Sequence, residues 1–167
     1  MAVVNTKSTV VSNGDASPSV ITVAQLGDGR VRQKRGVVAA ANGDSIGSTY
    51  RFFRVKSNDI VAQLLLSCDA ITTSAADVGL YNSAANGGAV VDADFFASAQ
   101  SLAAAVSNLD ITRESGVVTV ANMEKPIWEA LGLAADPQTE YDVVATLTAA
   151  AGSAGGIGLI GMVVGRT

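Results

Sequence analysis

The chain has 167 residues, a formal net charge of −4 and no histidine, with 16% charged and 5% aromatic residues. That length suits one domain, which at this size buries roughly two thirds of its unfolded surface. Sparse charge with an acidic balance argues against a general nucleic-acid binder, whose surface is basic, and the missing histidines remove the commonest general base and the commonest zinc ligand.

The opening "MAVVNTKSTVVSNGDASPS" has neither the basic start nor the continuous apolar run of a signal peptide. Residues 1–18 are rich in Ser, Thr and Val and are broken by Asn13–Gly14 and Pro18, so they read as an extended arm ahead of a domain over 19–167. Such an arm is either a loose terminus or a strand added to a neighbour's sheet edge. In the second case Val3, Val4, Val10 and Val11 are its partner-binding residues.

From Val20 the pattern becomes β, with "SVITVAQL" followed by the turn signal Gly27–Asp28–Gly29. "RVRQKRGVVAAA" alternates and then turns apolar, and Asn42–Gly43–Asp44 marks a second turn. In "STYRFFRVKS" a period of two places Tyr50, Phe52 and Arg54 on one face and Arg51, Phe53 and Val55 on the other. "IVAQLLLS" and "ADVGLYN" continue the series, and turns at this spacing favour a sandwich or barrel over alternating strands and helices.

Beyond Asn86–Gly87–Gly88, "FFASAQSLAAAVSN" is open between a short helix and a strand with a loop. "GVVTVA" (116–121) reads as a strand. In "EKPIWEALGL", Pro126 suits a helix's first turn and Gly132 its stop, with Ile127, Trp128 and Leu131 on the core side. No charge falls between Val143 and Gly165, a length that would match a membrane span, but "GSAGG" inside it points to two strands joined by a glycine loop. The expected fold is all-β: a two-sheet antiparallel sandwich, jelly-roll-like, with about eight strands and one short helix.

Chemistry-bearing patterns are few. Cys68 lies in the apolar run "VAQLLLSCDA", has no second thiol to pair with and no histidine to activate it, so it reads as a buried structural thiol. "GSAGGIG" lacks the lysine and the following helix of a phosphate loop. Asp92 and Asp94, two apart on an extended chain, could share a cation, with Asp77 a possible third ligand. A carboxylate pair could also serve acid–base catalysis. The plainer reading is solvated or capping aspartates, with no metal and no cofactor. "GRVRQKRG" is the one basic cluster, and its Arg30, Arg32, Lys34 and Arg35 either solvate an edge strand or form a docking surface for an acidic protein partner.

The stretches "DVGLYNSAANGGAVVDADFFA" and "IWEALGLAADPQTEYDVV", within a likeness running over about residues 29–165, resemble a family of small head structural proteins of tailed bacteriophages, similar to capsid cement or decoration proteins. The resemblance implies a β-sandwich protomer, commonly a trimer, sitting on the outside of the phage head and bridging capsomers of the major capsid protein. It implies no enzymatic activity, no nucleic-acid or membrane partner, and synthesis in the host cytoplasm. The same resemblance is open to a receptor- or carbohydrate-binding virion protein, a head-fibre base or minor tail component. For that role Tyr81, Phe95 and Phe96 are the available aromatics.

Overall fold

A computed structural model describes residues 6–27 and 29–165. The alternating segments become eight strands: β1 (Val31–Ala40), β2 (Thr49–Lys56), β3 (Ile60–Cys68), β4 (Ala75–Asn82), β5 (Val90–Ser101), β6 (Val106–Asp110), β7 (Glu140–Ala149) and β8 (Gly155–Val164). They form two four-stranded sheets, ordered β1-β8-β3-β6 and β2-β7-β4-β5, with every pair antiparallel. Only the β4–β5 connection stays within one sheet, and the others cross between sheets, so the order is jelly-roll-like.

Period two explains the layering. Along β8, Ile157, Leu159 and Val163 turn inward, and Leu64 and Leu66 do so on β3. Val78 and Leu80 of β4 and Val143, Ala145 and Leu147 of β7 face them from the second sheet. Each fully buried Leu or Val contributes about 1.5–3 kcal/mol relative to exposure, so this double layer dominates the fold's stability. At one side of the sandwich the two sheets meet through β1 and β2. A Cβ on Gly36 would come within 2.5 Å of the Phe52 carbonyl oxygen, and the Lys34 ammonium donates to the Arg54 carbonyl.

The helix predicted from "EKPIWEALGL" is α2 (Ile127–Ala130), preceded by Pro126 and stopped by Gly132 at φ +75°. The connection between β7 and β8 is the expected glycine loop, and among the described residues no helix is long and apolar enough to cross a membrane.

Four local expectations fail. Residues 19–26 form no strand: Val20, Ile21 and Val23 stay exposed, Ile21 at 96%. β-branched residues favour strands chiefly by packing on a half-buried pleated surface, and no sheet edge receives these. Residues 116–121 are not a strand either. Val118 packs inward while local bonds replace a ladder, from Asn122 Nδ2 to the Val117 carbonyl and from the Val117 N–H to Ser115 Oγ. The arm is not extended throughout, because Thr9–Gly14 forms a short helix, α1, whose first turn is capped by Ser8 Oγ accepting from the Val11 N–H. In β2 the alternation slips at a bulge between Arg51 and Phe53. That extra residue turns Arg51 and Arg54 to the same face and lets Tyr50, Phe52 and Phe53 all pack against the core.

Candidate partner-binding surface

β1 is an edge strand, and its first half carries the basic run. Arg32 and Lys34 turn toward β2. Arg32 Nη2 reaches Asp59 Oδ1 at 3.4 Å, and Asp59, 1% exposed, also accepts from the Lys56 N–H at 3.0 Å. Arg35 points outward, with Nη2 on Gln33 Oε1 at 2.8 Å, and Arg30 is exposed just ahead of the strand. Beside them on the outer face Val31 and Val37 are exposed, Val37 at 77%. Two of the four predicted cations, Arg32 and Lys34, are therefore tied to partners outside β1, Arg32 with its side chain 49% exposed, and the other two face solvent.

The segment that follows the arm meets the sandwich where the basic run begins. Gln25 Nε2 donates to the carbonyls of Asn58 (3.0 Å) and Val164 (3.5 Å), and Val164 is the β8 partner of Val31. On the arm, Val10 is half-buried and Val11 exposed, both on α1. Val3 and Val4 lie outside the described residues.

The sequence reading missed a cluster two strands away. Asp142 of β7, 7% exposed, receives Arg51 Nη1 at 2.8 Å and Arg54 Nε at 2.9 Å, with Glu140 Oε2 3.9 Å from Arg54. Arg51 also donates to the carbonyls of Asn82 (3.1 Å) and Gly88 (3.0 Å) and lies 5.5 Å above the Tyr81 ring. One guanidinium thus ties β2, β7 and the β4–β5 turn together. The signal for it is the β2 bulge, which strict alternation hides.

Asp92 and Asp94 sit in a wide irregularity of β5. Val78 pairs with Ala97 and Leu80 with Asp92, so the residues between Asp92 and Ala97 loop outward over a much shorter piece of β4. The Asp94 N–H donates to Asp92 Oδ1 at 3.3 Å. Burial, and then the neighbouring Asp94 carboxyl, push the Asp92 carboxyl above its usual range. Asp77 is engaged elsewhere, accepting from the Ala99 N–H at 2.7 Å. Among the described residues no three His, Cys, Asp or Glu side chains come together as a metal-binding group.

The bulge also settles where the aromatics go. Phe95 and Phe96 are fully buried and meet edge to face, with centroids 4.9 Å apart at 89°. Tyr81 is half-buried, its hydroxyl 2.7 Å from Thr146 Oγ1. These three rings form no exposed cluster.

No protein-family model matches this chain, and no curated protein matches it in sequence. Solved structures do resemble it. One is a chain of the cyanophage Pam1 capsid asymmetric unit, at a TM-score of 0.52 and 13% identity, covering 91% of this chain and 97% of that one. Another is a chain of the capsid of Ralstonia phage GP4, at 0.54 and 17%, covering 83% and 86%. The chain shares its fold with components of phage capsids. Both matches cover most of each chain, so each of those chains is of about this size.

Proposed function

We propose that this chain is a structural virion protein that decorates and cements a phage head. It binds the outside of the shell on the major capsid protein and has no enzymatic activity. The observation that carries this reading is the end-to-end likeness of a jelly-roll-like sandwich to similarly sized chains within phage capsids. The surface agrees with it: a charge-poor sandwich, an appended arm with exposed Val11, a following segment with exposed Val20, Ile21 and Val23, and exposed valines beside Arg30 and Arg35 on an edge strand.

A cement works by mass action. Binding the assembled lattice but not free subunits stabilises the lattice, and a homotrimer engaging three capsomers at once converts weak contacts into firm attachment. In this reading residues 1–18 are an appendage to the domain at 19–167 and make the contact with the shell. The protein is made in the host cytoplasm, ends in the virion, and touches neither nucleic acid nor membrane. The receptor- or carbohydrate-binding alternative loses support from the burial of Phe95 and Phe96, which leaves no exposed aromatic platform among the three candidates. The test adds the purified chain to undecorated heads and measures occupancy and the temperature at which heads release DNA. Saturable binding with a raised release temperature is expected, and removal of residues 1–18 should lower occupancy while the domain stays folded. No binding to heads would overturn the reading.

A further inference from the structure

Charge is sorted along the chain. Residues 29–56 hold seven Lys or Arg side chains against one acid, Asp44, whereas residues 57–112 hold six aspartates and no Lys or Arg. The topology turns this sorting into geometry. Residues 29–56 build β1 and β2, which form one edge of each sheet, and the acidic stretch runs on to β5 and β6, which form the opposite edges.

Internal ion pairs leave this polarity standing. Arg51 and Arg54 are matched by Asp142, and Arg32 by Asp59. Among the described residues Arg30, Lys34, Arg35 and Lys56 make no ion pair, and neither do Asp92, Asp94, Asp110 and Glu114 on the far edge. Asp110 is exposed on β6, and Glu114 reaches back to the β5 edge, where Oε2 accepts from the Ser98 N–H at 2.7 Å. Arg113 lies beside Asp110 and offsets part of that charge. The two edges stand about 15 Å apart, three strand spacings across a sheet. Glu140, opposite Lys56 in the β2–β7 register, offsets part of the cationic flank, which leaves an excess of cations along β1 and of carboxylates along the opposite edges.

We infer that the cationic β1–β2 edge docks on the acidic β5–β6 edge of a second copy of this chain, a head-to-tail contact between different surfaces. This deepens the self-association in the proposed function by assigning the partner of Arg30 and Arg35. Each copy offers both halves of the contact, so the arrangement repeats from copy to copy and closes into a ring when its rotation permits. Exposed Val31 and Val37 beside the cations supply apolar area, while the charges set orientation and reject the like-charged edge-to-edge approach. Lys34 and Arg32, turned toward β2, discourage a foreign strand from adding to β1 by backbone pairing, so side chains carry the contact.

The experiment is sedimentation of the full chain across concentration and salt. Association above the monomer is expected, weakening at least tenfold between about 50 and 500 mM salt as the Debye length contracts to a few ångströms. Arg30→Glu with Arg35→Glu is expected to leave a monomer, and so is Asp110→Lys with Glu114→Lys. All four changes in one chain should restore association, because the complementarity is only reversed. Should the lysine variants fail to fold by circular dichroism, Asp110→Asn with Glu114→Gln retains acceptor oxygens for Thr112 and Ser98 and is expected to weaken association in the same sense. A wild-type monomer at every concentration in low salt would overturn the inference, as would an oligomer indifferent to both pairs of changes. Head binding by a salt-insensitive oligomer would sink this contact and leave the cement reading standing; a salt-sensitive oligomer that ignores heads would do the reverse.

Discussion

The backbone of Ala93 lies directly against Gly79, leaving no room for a side chain between them. The outward loop of β5 is seated on this bare position of β4, and the same loop swings Phe95 and Phe96 into the core. A methyl group at residue 79 must push the loop off, so Gly79→Ala is expected to cost about 2–3 kcal/mol, the upper part of the overpacking range. Denaturant unfolding measures it. Gly43→Ala is the control: its Cβ meets nothing within 4 Å, and its φ of +91° leaves only backbone strain, so a smaller loss of about 1–2 kcal/mol is expected.

Arg51 and Arg54 share Asp142 but not equally. Arg51 holds two backbone carbonyls besides the carboxylate, and Arg54 adds only a distant Glu140. Arg51→Ala is expected to destabilise by about 2–3 kcal/mol and Arg54→Ala by about 1 kcal/mol, given the usual worth of hydrogen bonds to charged groups. Removing both should exceed the sum, because the buried Asp142 then loses every cation. Additive losses in a double-mutant cycle would contradict a shared carboxylate.

Two aspartates give opposite pH signatures. Asp92 has its pKa raised by burial and by Asp94, so its neutral form favours folding. That contribution is present below the unfolded carboxylate pKa and is lost as pH rises through the folded value. Asp92→Asn should therefore stabilise the protein at neutral pH and lose that advantage in acid. Burial pushes Asp110 up, but the Thr112 hydroxyl and N–H, Gln63 and Arg113 outweigh it and hold the carboxyl below its usual range. Its stabilisation is present above the unfolded pKa and disappears as pH falls through the folded one, so Asp110→Asn should cost stability at neutral pH and little in acid. Unfolding curves between about pH 3 and pH 7 distinguish the two, with opposite slopes for the two variants.

The tyrosines and the thiol report burial directly. The Tyr50 hydroxyl, pushed up to about 12 by burial and by its bond to Asp44, should ionise well above the ordinary tyrosine range in an alkaline absorbance titration, and Tyr50→Phe should remove that late component. Tyr141 is also raised, by burial first and then by Asp136. Cys68 is buried, which raises its thiol pKa, and it donates to the Ala104 carbonyl at 3.7 Å. Ellman's reagent should label it slowly in the native protein and at once in denaturant. Rapid native labelling would mean that β3 and β6 separate in solution.

What the sequence made readable was local and periodic. β3, β4, β7 and β8 stand where alternation places them, and Pro126 and Gly132 bound α2, because these signals depend on a few neighbouring residues. Residues 19–26 and 116–121 carry the same β-branched composition without a partner strand, and composition does not report the partner. On a regular strand Asp92 and Asp94 would share a face, the one arrangement that could offer a cation two carboxylates; the β5 irregularity makes them a hydrogen-bonded corner, nearer to the plainer reading of capping aspartates. The Asp142 cluster joins residues about ninety positions apart, beyond any local pattern. The separation of basic from acidic segments, by contrast, was there to be read before any fold was known, and only the strand order shows that it becomes two opposed edges.

The position of β8 between β1 and β3, and of β7 between β2 and β4, sets the order of events at birth. Neither sheet has its middle until Glu140–Val164 has left the ribosome. The nascent chain therefore holds its early strands apart, with apolar edges awaiting strands made last, a wait that long-range pairing prolongs. The two charged flanks take their final places only once those strands are inserted, so the contact inferred between copies would become available only after synthesis has passed the last strand. That contact would couple assembly to completion of the fold, because a chain lacking its last two strands presents neither flank in place.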